Sequence, residues 1–319
     1  MSEHFIKDIE IKNYKLFKNF KASGFNRVNL IGGKNNVGKT AFMEACYINS
    51  YAKDVNYTIS SIYAVEYARN FLEYVDENEP DVYKVLDKVY NCNIKTNIRD
   101  TNFNIEINNS KRTYNILNKK LNRDDFSQDY ADYSHPQNIL FLDNLGFRNS
   151  DFKDEYGAVQ SKDKEEVLNK YLNKFDSNIE KFKIINDKPK CKIKEGEYID
   201  INDFGYGLKE YIAIVISIYS CENGYLYIDE VANGIHYSQY DKLWEIILTL
   251  SKEQNVQVFA TTHSKEIIES YARVAKRLKD EDISFIDLGR NKNNEIKALV
   301  MDKERFFREL EIGNEVRGW

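Results

Sequence analysis

Residues 32–40 read GGKNNVGKT, and this stretch constrains the fold more than any other. Four residues separate Gly33 from Gly38-Lys39-Thr40, which is the spacing of a phosphate-binding loop. Glycines let the backbone curl so that successive N–H groups point at phosphate oxygens. Lys39 can add a positive charge for the β- and γ-phosphates, and the hydroxyl of Thr40 can ligate Mg²⁺.

The flanks of the loop have the strand–loop–helix order that such a loop requires. An apolar run at 28–31 predicts a strand before the loop, and apolar residues at helical spacing predict a helix from Ala41 onward. The phosphates would then meet the N-terminus of a helix, where backbone N–H groups are free. The sequence therefore predicts an ATP–Mg²⁺ site, with contacts from Gly33, Asn35, Asn36, Val37, Gly38, Lys39, Thr40 and Ala41.

Length and composition limit the classes to which this protein can belong. The chain has 319 residues, of which 42% are hydrophobic, so it can form one large α/β domain with an insertion, or two domains. The longest apolar run, at 211–219, is too short to cross a bilayer, and the N-terminus has no apolar signal core. Four well-separated cysteines favour reduced thiols and no zinc site. We therefore expect a cytoplasmic protein without a membrane partner.

The second half of the chain alternates strands with helices. Apolar runs at 225–228, 256–260 and 283–288 predict strands, and helical patterns fill 208–221, 240–250 and 265–278. This alternation predicts an α/β fold with a mostly parallel sheet flanked by helices, whose ligands bind at the carboxyl ends of the strands. Strands at 4–11 and 13–23 are expected to join 28–31 in an opening sheet.

The middle of the chain carries no catalytic motif. Its patterns predict helices between 47 and 90, with one starting at Pro80, hairpins at 103–117 and 190–201, a strand at 138–143 and a helix at 162–182. We therefore expect residues 1–54 and 200–319 to form a nucleotide-binding head. Residues 55–199 would be an inserted lobe, mainly of helices and hairpins.

Two acids follow the predicted strand at 225–228. An ionised carboxylate at the tip of a buried strand is costly unless it faces a cation or hydrogen-bond donors. Asp229 can face the Mg²⁺ held by Thr40, and Glu230 can then orient or deprotonate the attacking water. The competing interpretation is that both acids simply begin a surface loop.

Two further segments can complete a phosphate site. The strand at 256–260 is followed by Thr-Thr-His-Ser, which places His263 where it can donate a hydrogen bond to a γ-phosphate. His263 is equally compatible with a helix start capped by Ser264. Gly205 and Gly207 open a helix and predict a second anion site, unless they form only a flexible loop.

These pieces, in this order, resemble the ABC-type ATPase head shared by SMC, RecF and OLD-like proteins. The matching segments are 11–19, 33–40, 204–214, 225–247 and 256–268. The resemblance is closest to OLD-like AAA ATPases, in which the patterns E-x-x-N-G-[IL]-H-Y and VQVFATTHS and an ending like EVRGW are typical. It implies Walker A and Walker B motifs at 33–40 and 225–230, and it implies that Asn13 packs near the adenine.

The resemblance also implies how such a head works. ATP is sandwiched between the phosphate loop of one subunit and the signature glycines of another, here Gly205 and Gly207. The protein would be an ATPase switch that forms homodimers or larger assemblies. OLD-like ATPases often carry a Toprim nuclease or act with a separate effector in anti-phage defence. About 50 residues follow the His263 segment, which leaves no room for a Toprim domain, so we expect a separately encoded nuclease or toxin.

Two departures from that family pattern stand out. Asn202, Asp203 and Phe204 occupy the place of the signature serine that meets the γ-phosphate of a partner subunit. The Q-loop cannot be placed, and Asp143 and Asn144 are poor candidates. The trans contact would therefore rest on the backbone N–H groups of the glycines.

Two other functions stay open at this point. One is a RecF-like DNA-repair ATPase that binds DNA directly, and the other is a nucleotide-binding scaffold with slow turnover. Residues 181–194 contain six lysines and one aspartate and could touch phosphates, although a solvated face is the simpler interpretation. The segment 291–294, NKNN, lacks the aspartate that reads guanine, which favours ATP over GTP.

Overall fold

The computed structural model describes residues 2–69, 91–108, 111–122 and 138–313. The strands are β1 (Asp8–Tyr14), β2 (Phe17–Ser23), β3 (Val28–Gly33), β4 (Cys92–Thr96), β5 (Asp100–Asn108), β6 (Lys111–Ile116), β7 (Lys119–Asn122), β8 (Ile139–Leu142), β9 (Ile179–Ile185), β10 (Lys188–Ile193), β11 (Tyr198–Asp200), β12 (Tyr225–Ile228), β13 (Gln257–Thr261), β14 (Ile283–Arg290) and β15 (Ile296–Asp302). The helices are α1 (Lys39–Tyr51), α2 (Val55–Arg69), α3 (Asn149–Ser161), α4 (Glu165–Phe175), α5 (Tyr206–Ser220), α6 (Tyr240–Glu253), α7 (Lys265–Leu278) and α8 (Lys303–Glu311).

The central sheet has the strand order β15-β14-β3-β13-β12-β8. All neighbouring pairs are parallel except β14 with β15, which is antiparallel at one edge. β3, β12 and β13 are buried along their whole lengths because helices cover both faces. The predicted α/β fold with a mostly parallel sheet flanked by helices is confirmed.

Two hydrophobic cores lie on opposite faces of this sheet. One contains α1 and the antiparallel sheet, and the other contains α5, α6 and α7. In the second core the indole of Trp244 packs on Tyr271 with ring centroids 4.5 Å apart, and its N–H donates to the carbonyl of Ile267. The phosphate loop is thus the link between a strand and a helix that are both fully packed.

A second sheet has the order β2-β1-β4-β5-β6-β7, with antiparallel pairing throughout. The expected opening sheet is therefore divided, since β1 and β2 lie here while β3 lies in the parallel sheet. The burial patterns give the reason. β1 and β2 alternate and cover one face against α1, whereas β3 needs cover on both faces.

Residues 55–199 contribute to several layers. α2 packs on α1, β4–β7 extend the antiparallel sheet, and β8 is the edge strand of the parallel sheet. The helix expected at 162–182 ends at Phe175, and the chain then turns into β9, where Phe182 is buried. The helix expected from Pro80 lies outside the described residues. The division into a head and an inserted lobe stays a prediction.

Two further expectations concern cysteines and membranes. All four cysteines are buried and free. Among the described residues, no helix combines the length and the apolar character needed to span a bilayer.

Candidate nucleotide-binding site

The loop between β3 and α1 depends on backbone conformations that favour glycine. Gly33 has φ +140° and Gly38, the N-cap of α1, has φ +92°. A Cβ at Gly33 would stand 2.4 Å from the carbonyl oxygen of Leu288 on β14. Asn36 also lies in the left-handed region, at φ +61°. The tight curl predicted for residues 33–40 is therefore present and is enforced by the neighbouring strand.

Lys39 folds back over this loop. Its Nζ donates to the carbonyl of Gly33 at 3.1 Å and to that of Lys34 at 3.2 Å. Burial lowers the pKa of Lys39, while the charges of Glu230 and Asp229 oppose that shift. The ammonium is thus held by the loop on the side that faces the two acids, where it can meet phosphate oxygens.

Asp229 follows β12 and lies against the phosphate loop. Its carboxylate oxygens are 3.1 and 3.2 Å from the hydroxyl of Thr40, and the hydroxyl of Thr261 donates to it at 2.6 Å. Burial raises the pKa of Asp229, and its bonds to Thr261 and Thr40 act against that shift. The structure therefore brings Thr40 and Asp229, the two predicted ligands of Mg²⁺, within hydrogen-bond distance of each other.

This pair fits a Mg²⁺ ion. Magnesium prefers oxygen ligands and is usually held by one or two protein groups together with substrate phosphates. A buried carboxylate beside a hydroxyl supplies such a set, and a cation there would offset the cost of ionising Asp229. Within the described ranges no group of three or more His, Cys, Asp or Glu forms a metal cage, so the phosphates would have to complete the shell.

Glu230 leaves the strand in a left-handed conformation, with φ +56°. Its N–H donates to the hydroxyl of Thr261 at 2.8 Å, and its Oε2 lies 2.8 Å from Nδ1 of His263. The hydroxyl of Thr261 thus holds Asp229 and Glu230 at once. The sequence analysis assigned no role to Thr261. This residue is nevertheless the last of β13, the strand next to β12, and it lies level with the two acids.

His263 stands at the carboxyl end of β13, with 66% of its side chain exposed. Ser264 accepts a hydrogen bond from the N–H of Ile267 and caps α7, as the sequence predicted. The helix start capped by Ser264 is therefore confirmed, whereas the hydrogen bond from His263 to a γ-phosphate stays a prediction, since His263 contacts Glu230. The carboxylate and the imidazole form a pair that faces solvent beside the phosphate loop.

Comparisons with known proteins agree with this geometry. The family model described as an AAA ATPase domain matches residues 153–268. An ATP/GTP phosphatase of Helicobacter pylori is 26% identical over 328 residues, which cover 85% of this chain and 88% of that protein. Two solved SMC head structures share the fold. One is the SMC head bound to the C-winged helix domain of ScpA, with TM-score 0.54, 11% identity and coverage of 95% and 99% of the two chains.

The other is the Smc head with an extended coiled coil bound to the C-terminal domain of ScpA from Pyrococcus furiosus. Its TM-score is 0.53 at 10% identity, over 97% of this chain and 99% of that chain. The chain is an ATPase with an ABC-type head fold. Two more regions carry predicted contacts with the nucleotide, the β1–β2 turn and the start of α5.

The β1–β2 turn of the ATPase borders the start of α1. Asn13 and Lys15 both have positive φ, and a Cβ at Gly38 would stand 3.7 Å from Cδ1 of Leu16. Leu16 is about half exposed. This turn is therefore the apolar neighbour of the phosphate loop. The contact predicted for Asn13 with adenine stays a prediction.

A partly buried network of charges fixes this turn, and the sequence analysis did not predict it. Lys15 bonds to Glu44 on α1 and to Glu66 on α2, each at 2.9 Å. Arg69, the last residue of α2, also bonds to Glu44 through two nitrogens. Glu44 is one helical turn beyond Thr40, so the network connects the β1–β2 turn, the phosphate-binding helix and α2.

The start of α5 is exposed. Gly205 is its N-cap, no side chain caps the helix, and a Cβ at Gly205 would meet nothing within 4 Å. Gly207 is packed instead, since a Cβ there would stand 2.5 Å from the carbonyl oxygen of Gly234. The hydroxyl of Tyr206 and the amide of Asn233 both donate to the carbonyl of Asn144 at 3.2 Å. Three loops therefore meet at this helix start.

One of these loops, 143–146, follows β8, the neighbour of β12 in the sheet. The N–H of Asp229 donates to the carbonyl of Leu142 at 2.8 Å, so Asp143 leaves the same sheet edge as Asp229. Beneath it, burial raises the pKa of Glu210 on α5 to about 7, and the charge of Asp143 adds to that shift. The segment 143–146 therefore connects the edge of the sheet with the start of α5.

Proposed function

We propose that this ATPase is a molecular switch whose subunits assemble around bound ATP. The observation that carries the proposal is the meeting of Thr40, Asp229, Glu230 and His263 at one sheet edge, through contacts of 2.8–3.2 Å. In this proposal one chain supplies the phosphate site, the ligands for Mg²⁺ and the base for water. Hydrolysis would reset the assembly.

Each side chain has a defined part in this proposal. Bound Mg²⁺, held by Thr40 and Asp229, would neutralise charge on the phosphates. The ammonium of Lys39 would stabilise the charge that develops on the γ-phosphoryl group. Glu230 would accept the proton of the attacking water through its carboxylate, and His263 would hold that carboxylate in place. The hydroxyl of Thr261 bonds to Asp229 and Glu230 and so keeps both acids at the end of β12.

The exposed start of α5 supports assembly through a second copy. Gly205 presents free N–H groups at a helix N-terminus, which favours an anion such as the γ-phosphate of a partner subunit. Around it Leu145 is 54% exposed and Tyr237 is 70% exposed. Asp203 is also exposed and would repel a phosphate, so the trans contact would depend on backbone N–H groups.

For the cellular role we propose the ATPase component of a bacterial anti-phage system, acting in the cytoplasm with a separate effector. The OLD-like patterns at 230–237 and 256–264 support it. The SMC heads with this fold were solved with a domain of another protein, ScpA, which favours a separate partner here. Co-purification with the products of neighbouring genes tests this role. A fully active ATPase that captures none of them would contradict it.

The test of the switch is the mass of the particle with and without ATP–Mg²⁺, for wild type and Glu230→Gln. We expect ATP to enlarge both particles and only Glu230→Gln to stay large, with hydrolysis reduced about 10²- to 10³-fold. Glu253→Gln, an exposed change on α6, is the control and should behave as wild type. Hydrolysis by Glu230→Gln at the wild-type rate would refute the catalytic assignment.

A constant mass would favour the slow-turnover scaffold, and the rate of ATP loss would then decide. The RecF-like alternative predicts direct DNA binding with a strong dependence on salt. Both alternatives keep the nucleotide site as described. These measurements therefore distinguish between the proposed functions, and they do not test the site itself.

A further inference from the structure

A three-stranded sheet, β9–β10–β11, presents a lysine face on its outer side. Phe182 on β9 and Cys191 on β10 are buried in the core and stand opposite each other in the register. Because side chains alternate along a strand, their neighbours project to the other face. Those neighbours, which we call the lysine face, are Lys181, Lys183, Lys190 and Lys192.

The register places like charges directly opposite one another. Lys183 faces Lys190, and Lys181 faces Lys192. Such pairs destabilise a sheet, so their presence needs an explanation. Lys192 has an acidic partner, Glu180, at 2.8 Å. Among the described residues, no carboxylate lies within 4 Å of the ammonium groups of the other three.

The antiparallel sheet of the same chain shows the opposite arrangement. On its outer face Glu10 stands opposite Lys21 on β2 and opposite Lys95 on β4. The hydrogen bond from Lys21 is the main cause that lowers the pKa of Glu10. On the lysine face Lys190 also stands opposite an acid, Asp200 on β11, but that carboxylate bonds to Asn202. Four lysines thus meet two acids, Glu180 and Asp200, and the face keeps an excess of positive charge for another ligand.

We propose that the lysine face binds the phosphate backbone of a single-stranded nucleic acid. Lysines two residues apart are about 6.6 Å apart along a strand, which is comparable with neighbouring phosphates on one nucleic-acid strand. The paired strands repeat this spacing side by side. Tyr198 on β11 stands opposite Lys192, and an aromatic ring beside cations is the arrangement on which unpaired bases stack.

This site is separate from the nucleotide site but connects with it through the chain. β11 ends at Asp200, whose carboxylate accepts from the N–H of Asn202 at 3.0 Å and so fixes the turn before Gly205. A strand bound to the lysine face would therefore contact the element that leads into α5. The inference goes beyond the proposed switch and can fail while that proposal stands.

The test is binding of a fluorescent oligothymidine of about 20 nucleotides, measured by anisotropy across a salt series. The variant is Lys181→Gln/Lys183→Gln/Lys190→Gln. We expect its affinity to fall at least about tenfold and its salt slope to fall by about 2, since each neutralised phosphate contributes about 0.7. The control, Lys12→Gln/Lys21→Gln/Lys95→Gln, removes the same charge from the antiparallel sheet and should bind as wild type does.

Both variants should keep the wild-type rate of ATP hydrolysis, which shows that they are folded. Absence of binding by wild type at low salt would overturn the proposal, and so would equal losses in the two variants. Stronger competition by polyglutamate would assign the face to an acidic protein. Stronger competition by a DNA duplex would refute the preference for a single strand.

Discussion

The two predicted anion-binding regions of this ATPase differ in how much of the site one chain supplies. At the phosphate loop each acid has a partner in the same chain, since Asp229 bonds to Thr40 and Thr261, and Glu230 contacts His263. At the start of α5 no side chain caps the helix. The first region is organised before ATP arrives, and the second is open to another surface. The proposed switch depends on this difference, because one region would bind ATP and the other would be left to contact a second subunit.

The largest expected effect tests the organised region. Lys39→Ala removes an ammonium that two loop carbonyls hold in place, so nucleotide affinity and phosphate release should each fall at least about 100-fold. Binding of a fluorescent ATP analogue and release of phosphate measure this. Lys53→Ala, an exposed change just beyond α1, is the control. If Lys39→Ala binds ATP normally, the loop does not hold the phosphates and the comparison fails.

An intermediate effect separates the two glycines at the open region. A methyl group at Gly207 would clash with the backbone of Gly234, so Gly207→Ala should lower the free energy of unfolding by about 1–3 kcal/mol. Gly205→Ala has space and an ordinary φ of −62°, and should cost less than about 1 kcal/mol. Urea unfolding measures both.

Gly205→Ala is then the sharper probe of assembly because the folded chain tolerates it. If ATP-dependent growth of the particle weakens in this variant while its stability does not, the exposed helix start is an assembly surface. Equal destabilisation by the two changes would show that Gly205 is packed, and the contrast between the regions would disappear.

The sequence predicts the organised region well because its chemistry is local. The loop motif requires particular residues at fixed spacing, and the acids follow an apolar strand of four residues. Thr40 and Asp229 are 189 positions apart, yet the role predicted for each at a magnesium ion already implied that they lie close together. Parallel strands then bring their carboxyl ends to one edge without further information.

The remaining features depend on partners that are distant in the sequence. The hydroxyl of Thr261 joins two acids only because β13 is the neighbour of β12. The separation of β1 and β2 from β3 depends on β4, about 80 residues further along, which pairs with β1. Periodicity reports which face of a strand is buried, but it does not report against which element.

The last expected effect, which is confined to part of the pH range, concerns the helix beneath the open region. Glu210 is 2% exposed, and burial raises the pKa of its carboxyl from 4.5 to about 7, with the charge of Asp143 adding to the shift and Lys209 opposing it. Because the folded state keeps this proton longer than the unfolded state does, unfolding releases a proton between about pH 4.5 and 7. The contribution of Glu210 to stability is therefore lost as pH rises through that window.

Glu210→Gln carries no titrating group, so it should remove this part of the pH dependence. Near pH 4 its free energy of unfolding should match that of wild type, and at pH 8 it should exceed it by about 1–3 kcal/mol. Urea unfolding at pH 4, 6 and 8 measures the difference, and the exposed Glu253→Gln should follow wild type at every pH. A Gln variant less stable than wild type at pH 8 would mean that Glu210 is ionised and compensated in the folded chain. The charged groups at the start of α5 would then have partners within the same chain, as those at the phosphate loop have.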